Sequence, residues 1–287
     1  SSGISTYNIN SNKVVLIAGA STSNVAGIYN TDGGSPTKTF NNNNIDISGA
    51  ANPVYGIYTG YGTSNIGTDT ISISTSAVSP ILYGIFCTTS GTAFSITNNR
   101  INSLNASAAS TSAPTVAGIN TAISASYTIS GNVITGITTG ASSGTTTING
   151  IASSAGNTTT ISGNNISGIS TGTGTSTTIT INGINVTGGT TNNISGNTLT
   201  NISSAGSGSG IVSGITVGGG TTNNIFKNKV YDLFSSNTGA STVISGIKAS
   251  GGVTNNISNN LVGFGNSLTG VNVADAAVRG VNLNSVT

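Results

Sequence analysis

A sequence pattern with a period of roughly 30 residues runs through this chain and restricts its fold more than any other feature. The stretch TTNNISGNTLTNI, at residues 190–202, returns as TTNNIFKNKVYDL at 221–233 and as VTNNISNNLVGFG at 253–265. Each copy keeps an Ile, an Asn three residues later and a second apolar residue two positions further on. A fixed period of this length indicates that one structural unit is stacked repeatedly on itself.

Two anchor motifs alternate along the chain, and each occurs nine times. The first is apolar-x-x-Asn-x-apolar, with Asp replacing Asn in one copy. Its polar positions are Asn12, Asn43, Asp69, Asn99, Asn132, Asn164, Asn197, Asn228 and Asn260. The second is apolar-x-Gly-apolar, from VAGI at residue 25 to VRGV at residue 278, with glycines 28 to 34 residues apart. The variation in repeat length falls mostly between the anchors, in segments rich in Gly and Ser.

The repeat predicts short β-strands separated by turns. Gly recurs every few residues, β-branched residues dominate, and the apolar spacing does not fit a helix. Stacked strands are about 4.8 Å apart, so nine coils would form a rod about 43 Å long. The inward Ile and Val residues would form its core, and the Asn residues would form a ladder of side-chain amides at one turn. We therefore expect a single all-β solenoid domain over residues 1–287.

The I-x-x-N-x-I signature and the expected Asn ladder resemble the parallel β-helix repeats of the pectate-lyase-like superfamily. The resemblance covers all nine repeats and implies a right-handed parallel β-helix. That superfamily includes lyases, glycoside hydrolases, phage tailspikes, adhesins and surface filaments, so the resemblance implies a fold more than a function. In character the chain is most similar to the repetitive surface adhesins and fibre proteins of bacteria.

Charged residues make up only 4% of the chain, and this restricts its partners. The seven Lys and Arg residues are scattered over the repeats, whereas nucleic-acid binding needs them clustered. The longest strictly apolar run, residues 14–18, is too short to span a bilayer. Disorder is disfavoured because disordered chains do not keep Ile and Val in register. We expect neither nucleic-acid binding nor membrane insertion.

The residues that could support catalysis are few. The chain has no His and no Glu, and its acids are Asp32, Asp46, Asp69, Asp232 and Asp275. Glycoside hydrolysis needs two carboxyl groups roughly 5–9.5 Å apart, and no two of these acids share a column of the repeat on neighbouring coils. No segment gathers the several carboxylates that calcium prefers. We expect that the chain is not an enzyme and that it holds no metal and no cofactor.

Several single residues have simple structural interpretations. Asp69 occupies a ladder position and is interpreted as a near-isostere of Asn. Cys87 lies two positions beyond Ile85, so it should point inward as a small buried side chain; a nucleophilic Cys would need a base beside it. The basic residues Lys13, Arg100 and Lys229 directly follow ladder positions, where a solvated corner is expected.

Two columns of small polar residues precede the first anchor. Three positions before its leading apolar residue lie Thr6, Thr37, Thr63, Ala93, Ser126, Thr158, Thr191, Thr222 and Thr254. One position before it lie Asn8, Thr39, Asn65, Ser95, Thr128, Thr160, Asn193, Asn224 and Asn256. The columns resemble the Thr-x-Thr ranks of β-solenoid ice-binding proteins, in which such faces are more uniform. A hydrogen-bonded Thr/Asn ladder at the turn is the alternative interpretation.

Aromatic residues flank the Gly anchor only in the first three repeats. They are Tyr29, Tyr55, Tyr58, Tyr83 and Phe86, and all five fall at positions expected to point outward. Exposed rings on one face predict a contact site for sugar rings or for a neighbouring rod. The alternative is that a long loop covers them.

The function that these observations favour is a structural or adhesive module of an extracellular or cell-surface fibre or adhesin. No capping segment is visible at either end, so we expect continuation by further repeats, head-to-tail stacking of copies or lateral packing into a filament. Cell-surface glycans are a second class of partner. An ice-binding solenoid, a polysaccharide-acting enzyme and a tailspike-like glycan binder are the alternatives.

Overall fold

A computed structural model describes residues 6–33, 36–78, 80–88, 91–107, 113–122, 125–154, 156–175, 178–264 and 277–284. Within these ranges the regular structure is entirely β-strand, and no helix there could cross a membrane. The 28 described strands, numbered in chain order, form three sheets in which neighbouring strands run parallel. The fold class predicted by the repeat, an all-β parallel solenoid, is therefore confirmed.

Each sheet takes one strand from every coil, with one exception: in the eighth coil, sheet B takes two short strands. Sheet A contains β1 Thr6–Asn10, β4 Thr37–Asn41, β7 Gly62–Gly67, β10 Gly91–Thr97, β13 Ser126–Ser130, β16 Thr158–Ser162, β19 Thr191–Ser195, β22 Thr222–Phe226 and β26 Thr254–Ser258. Sheet B contains β2 Lys13–Ser21, β5 Asn44–Ala51, β8 Thr70–Thr75, β11 Arg100–Ala106, β14 Val133–Thr139, β17 Asn165–Thr171, β20 Thr198–Ser204, β23 Lys229–Tyr231, β24 Leu233–Ser235 and β27 Leu261–Gly263. Sheet C contains β3 Val25–Asn30, β6 Val54–Thr59, β9 Ile81–Cys87, β12 Thr115–Thr121, β15 Thr146–Ser153, β18 Thr178–Val186, β21 Ser209–Val217, β25 Val243–Ala249 and β28 Ala277–Leu283.

The chain visits sheets A, B and C in turn, and one such visit is called a coil. Coil 1 begins at β1, coil 2 at β4, and coil 9 at β26, the last sheet A strand among the described residues. The register pairs each anchor residue with its counterpart one coil away, as Ile9 pairs with Phe40 and Ile225 with Ile257. The described chain thus makes about eight turns from the first strand of sheet A to the ninth, close to the nine coils predicted.

The core lies between the three sheets and consists of the inward apolar columns. Ile45, Ile71, Ile101 and Ile134 stack in sheet B, and each has no exposed surface. The alternation of strand side chains places these residues inside and their neighbours outside. Because every coil repeats the pattern, burial is continuous along the rod.

The Gly of the second anchor is required where sheet C passes closest to the core. A Cβ atom on Gly118 would lie 2.7 Å from Ile134 Cγ2 and 2.6 Å from the carbonyl oxygen of Gly150. The strand register also passes over this residue, since Ala117 pairs with Asn149 and Ile119 with Ile151. Val116 and Ile119 are three residues apart and both fully buried, so the two-residue alternation is interrupted at this Gly, and outward side chains on its two sides lie on the same face.

The Asn ladder is present at all nine predicted positions. At a typical step, Asn164 donates from its backbone N at 3.0 Å and from Nδ2 at 2.9 Å to Asn197 Oδ1. Asn164 Nδ2 also donates to the carbonyl oxygen of Ile129 in the preceding coil at 2.9 Å. The ladder satisfies buried polar groups at the turn between sheets A and B, which explains why the motif returns in every coil.

A shorter ladder in coils 7–9 was missed by sequence reasoning. Inside sheet A, Asn192 Nδ2 donates to Asn223 Oδ1, and Asn223 Nδ2 donates to Asn255 Oδ1, both at 2.8 Å. Gly220, with φ of +99°, leaves room for this inner ladder, because its added Cβ would lie 2.5 Å from Asn192 Nδ2. The signal was the repeated GG-x-T-N-N-I sequence, whose first Asn alternates inward between two outward residues.

Candidate contact site

Five rings meet on the outer face of sheet C in coils 1–3, and they are called the aromatic cluster: Tyr29, Tyr55, Tyr58, Tyr83 and Phe86. Tyr58 lies at its centre. The Tyr58 ring stacks on Tyr29 with centroids 4.6 Å apart and meets Tyr55 edge-on at 5.1 Å and Phe86 at 5.4 Å. Tyr55 and Tyr58 are three residues apart in one strand, so their contact depends on the interrupted alternation at the intervening Gly anchor.

Exposure within the aromatic cluster is uneven. Tyr29 exposes 51% of its surface, and Tyr58, Tyr83 and Phe86 are half-buried. The expectation that every ring is exposed is wrong for Tyr55, which is 6% exposed because neighbouring rings pack against it. The ring presented most fully to a partner is Tyr29.

The aromatic cluster is electrically neutral near physiological pH. Burial raises the pKa of Tyr55 to about 12, and the neighbouring phenols of Tyr83, Tyr58 and Tyr29 add to the effect. Burial also raises the pKa of Tyr83, although a hydrogen bond with Asn120 opposes the shift. Strands β3, β6 and β9, which carry all five rings, contain no charged residue. The surface therefore offers rings and hydroxyl groups rather than charge.

Beyond the rings, the same columns of sheet C continue mostly with small side chains, and with Lys248 and Arg279 in coils 8 and 9. Asn182 Nδ2 donates to Asn149 Oδ1 at 3.0 Å, and Thr216 Oγ1 donates to Asn182 Oδ1 at 2.8 Å. The change from rings to amides and hydroxyls follows Phe86 directly, since its partner in the next coil is Asn120. The aromatic cluster is thus a local feature of coils 1–3.

Sheet A presents the second candidate surface, the two polar columns seen in the sequence. The strand register places them in line: Thr191 pairs with Thr222, and Asn193 pairs with Asn224. Asn224 Nδ2 donates to Asn193 Oδ1 at 2.9 Å, and Asn256 Nδ2 donates to Asn224 Oδ1 at 2.8 Å. A hydrogen-bonded ladder therefore exists in this part of the second column.

The four acids of the described residues lie on four different segments of the chain. Asp46 is exposed on β5, and Asp32 is exposed and accepts a hydrogen bond from the Tyr7 hydroxyl. Asp232 has φ of +55° at the bulge between β23 and β24, and its Oδ2 accepts from Thr200 Oγ1 at 3.2 Å. Asp69 is buried in the ladder, as predicted. Asp275 lies outside the described residues.

Other predicted positions can be located directly. Cys87 is completely buried between Thr59 and Thr121, and burial raises the pKa of its thiol. Lys13, Arg100 and Lys229 are exposed, as expected for a solvated corner. Among the residues that the structure describes, no group of three or more His, Cys, Asp and Glu side chains could hold a metal ion.

Lys38 is a buried polar residue that sequence reasoning missed. It lies inside sheet A, and its ammonium donates to the carbonyl oxygens of Gly60 and, at 2.8 Å, Tyr61. Burial lowers the pKa of Lys38, and the charge of Asp32 partly offsets this. Its position between the outward residues Thr37 and Thr39 was the available signal, because strand side chains alternate.

The three stacked sheets and the nine-position ladder define a parallel β-solenoid protein. Comparisons of the chain with protein-family models, with curated proteins and with solved structures found no match. The aromatic cluster and the polar face of sheet A are therefore interpreted from their own geometry and chemistry.

Proposed function

We propose that this chain is an extracellular structural and adhesive module, a rigid segment of a cell-surface fibre or adhesin that holds neutral glycans against its aromatic cluster. The resemblance of the repeat to the pectate-lyase-like superfamily, with its adhesins and surface filaments, supports this assignment. The observation that carries the proposal is the neutral group of five rings, with Tyr29 half-exposed, on three neighbouring strands that contain no charged residue.

Rigidity is supported by the ladder. A side-chain hydrogen bond at each coil fixes the turn between sheets A and B, and the parallel sheets run without a break through the described coils. In a solenoid each coil contacts mainly its neighbours, so length can be extended by adding repeats. We propose that the native rod is extended in this way, by further repeats or by association of copies.

The chemistry of the aromatic cluster favours a neutral sugar over a charged partner. Tyr rings offer flat apolar surface together with a hydroxyl group, and they occur where one side of a contact is apolar and the other wet. The absence of charge on β3, β6 and β9 gives an acidic polysaccharide no cation to pair with. A neutral, hydroxyl-rich sugar needs no cation in the site.

Affinity electrophoresis in gels containing neutral or acidic polysaccharides tests this proposal. The neutral glycans should retard the protein, and Tyr29→Ala should weaken binding by roughly tenfold, the loss expected for one aromatic contact. The matched control is Tyr231→Ala, which removes a partly exposed Tyr on β23, away from the cluster. Equal weakening by both substitutions, or no retardation by any neutral glycan, would reject the glycan site. Loss of self-association on Tyr29→Ala, measured by sedimentation, would instead assign the cluster to rod–rod contact.

Ice binding is a second candidate because the polar columns of sheet A stay in register across the coils. Such a face should inhibit ice recrystallisation, and Thr191→Tyr together with Thr222→Tyr should abolish the effect by breaking its flatness. The amide–amide hydrogen bonds along Asn193, Asn224 and Asn256 occupy groups that would otherwise face water. No inhibition by the unaltered chain would remove this candidate.

A further inference from the structure

The Asn ladder depends on the two donors of each side-chain amide. Asn132, for example, donates from Nδ2 to Asn164 Oδ1 and to the carbonyl oxygen of Ile96, both at 2.9 Å. Its Oδ1 meanwhile accepts from the backbone N of Asn99 at 2.9 Å and from Asn99 Nδ2 at 3.0 Å. Every internal Asn position therefore uses one oxygen as acceptor and one nitrogen as donor.

Asp69 breaks this pattern at one atom. Its Oδ1 accepts from the backbone N of Asn43 at 2.7 Å and from Asn43 Nδ2 at 2.8 Å, as an Asn oxygen would. Its backbone N donates to Asn99 Oδ1 at 3.0 Å. Its Oδ2, which takes the position of the amide nitrogen, is buried without a hydrogen-bond partner. In the other ladder residues the atom at this position donates hydrogen bonds to acceptor oxygens. Asp69 Oδ2 can act as a donor only when it is protonated.

The surroundings do not supply a cation for Asp69. Lys38 directs its ammonium to the carbonyl oxygens of Gly60 and Tyr61, and Asp46 on β5 and Arg100 on β11 are exposed. The Asp69 side chain itself has no exposed surface. Burial raises its pKa from 3.8 to about 6, and the two hydrogen bonds from Asn43 oppose the shift.

We propose that Asp69 is a pH-sensitive joint in the ladder, protonated in weakly acidic solution and ionised as the pH rises, and that its ionisation weakens the stacking of coil 3 on coil 4. The inference is independent of any glycan site. The protonated acid donates from Oδ2 as the other ladder amides do from Nδ2. The carboxylate instead places negative charge beside acceptor oxygens, on the side facing Asn99.

The sign of the effect follows from proton linkage. Between about pH 4 and pH 6 the folded chain keeps a proton that the unfolded chain has lost, so stability falls as the pH rises through this range. A pKa of about 6 in the folded state against 3.8 in the unfolded state corresponds to a rise of roughly a hundredfold in the unfolding constant.

Carbon-13 NMR of the Asp carboxyl groups measures the protonation of Asp69 directly. The chain has five acids, all Asp, so Asp69→Asn assigns the relevant signal by removing it. We expect that signal to titrate near pH 6 and the unfolding constant to rise with pH in the unaltered chain. This rise should be absent in Asp69→Asn and retained in Asp46→Asn, which changes an exposed acid on β5.

Hydrogen exchange locates the effect. The amides near residues 68–70 and 98–101 should lose protection on raising the pH, after correction for intrinsic exchange rates, while those near residues 196–198 should not. A carboxyl signal for Asp69 that titrates near 4, or an unchanged pH dependence in Asp69→Asn, would overturn the proposal. The NMR titration tests the protonation of Asp69 even if unfolding is irreversible.

Discussion

Coils 1–5 and coils 7–9 share one backbone plan but fill the same positions differently. The inward column of sheet A contains Lys38, Ser64, Phe94 and Tyr127 in the earlier coils, where the last two rings stack 5.4 Å apart. In coils 7–9 that column consists of Asn192, Asn223 and Asn255, joined by side-chain hydrogen bonds. The earlier coils also contain the aromatic cluster and the one ladder Asp.

The difference separates what the solenoid requires from what it tolerates. Both regions retain the main ladder and the Gly anchor, so these two features maintain the coil. A polar residue can repeat at a buried position when its side chain hydrogen-bonds to its own copy, as Asn does. Where the sequence varies between coils, the variable positions hold chemically distinct side chains: the buried ammonium of Lys38, the buried acid Asp69 and the aromatic cluster.

Removing a main-ladder amide should have the largest effect. Asn197→Ala leaves the backbone N and Nδ2 of Asn164 without their acceptor and the carbonyl oxygen of Ile161 without its donor. We expect a loss of about 3–5 kcal/mol in the free energy of unfolding, because several buried groups become unsatisfied. Chemical denaturation measures the loss. Asn193→Ala, in the outer column of strand β19 just before this turn, should lower the free energy of unfolding by less than about 1 kcal/mol.

A Gly in the turn of the regular region should be the next most sensitive position. Gly220→Ala combines a left-handed backbone, φ of +99°, with a clash against the inner Asn ladder. We expect a cost of about 2–4 kcal/mol. Gly218→Ala is the matched control, since its nearest neighbour to the added Cβ is 3.8 Å away. Equal thermal stability of the two variants would show that the inner ladder does not constrain this turn.

Removing a ring from the aromatic cluster should destabilise the chain less than the two substitutions above. Tyr58→Ala deletes the central ring of the aromatic cluster and its contacts with Tyr29, Tyr55 and Phe86. We expect a cost of about 2–3 kcal/mol. Tyr29→Ala should cost about 1 kcal/mol, because half of that ring is already exposed. The comparison fails if Tyr29→Ala proves the more destabilising of the two in urea denaturation.

The sequence predicted the repeating features well because both anchors recur at fixed positions. All nine ladder residues, the inward direction of Cys87 and the grouping of the rings follow from counting along the repeat. The burial of Tyr55 did not follow, because it depends on the rings of Tyr58, Tyr83 and Phe86 packing against it across the Gly anchor. The alternation of strand side chains places Lys38 inside. The carbonyl oxygens of Gly60 and Tyr61 that accept from its ammonium lie 22 and 23 residues further along the chain, and the sequence does not show that they meet it.

Distances between spin labels on the outer column of sheet A test the stacked-coil arrangement most directly. Thr39→Cys would be paired in turn with Asn193→Cys, Asn224→Cys and Asn256→Cys, in a Cys87→Ala background that copies the Ala249 of the same column. Five, six and seven strand spacings predict distances of about 24, 29 and 34 Å. An increase of about 4.8 Å for each added coil would support the solenoid. Distances that do not increase with the number of intervening coils would contradict it.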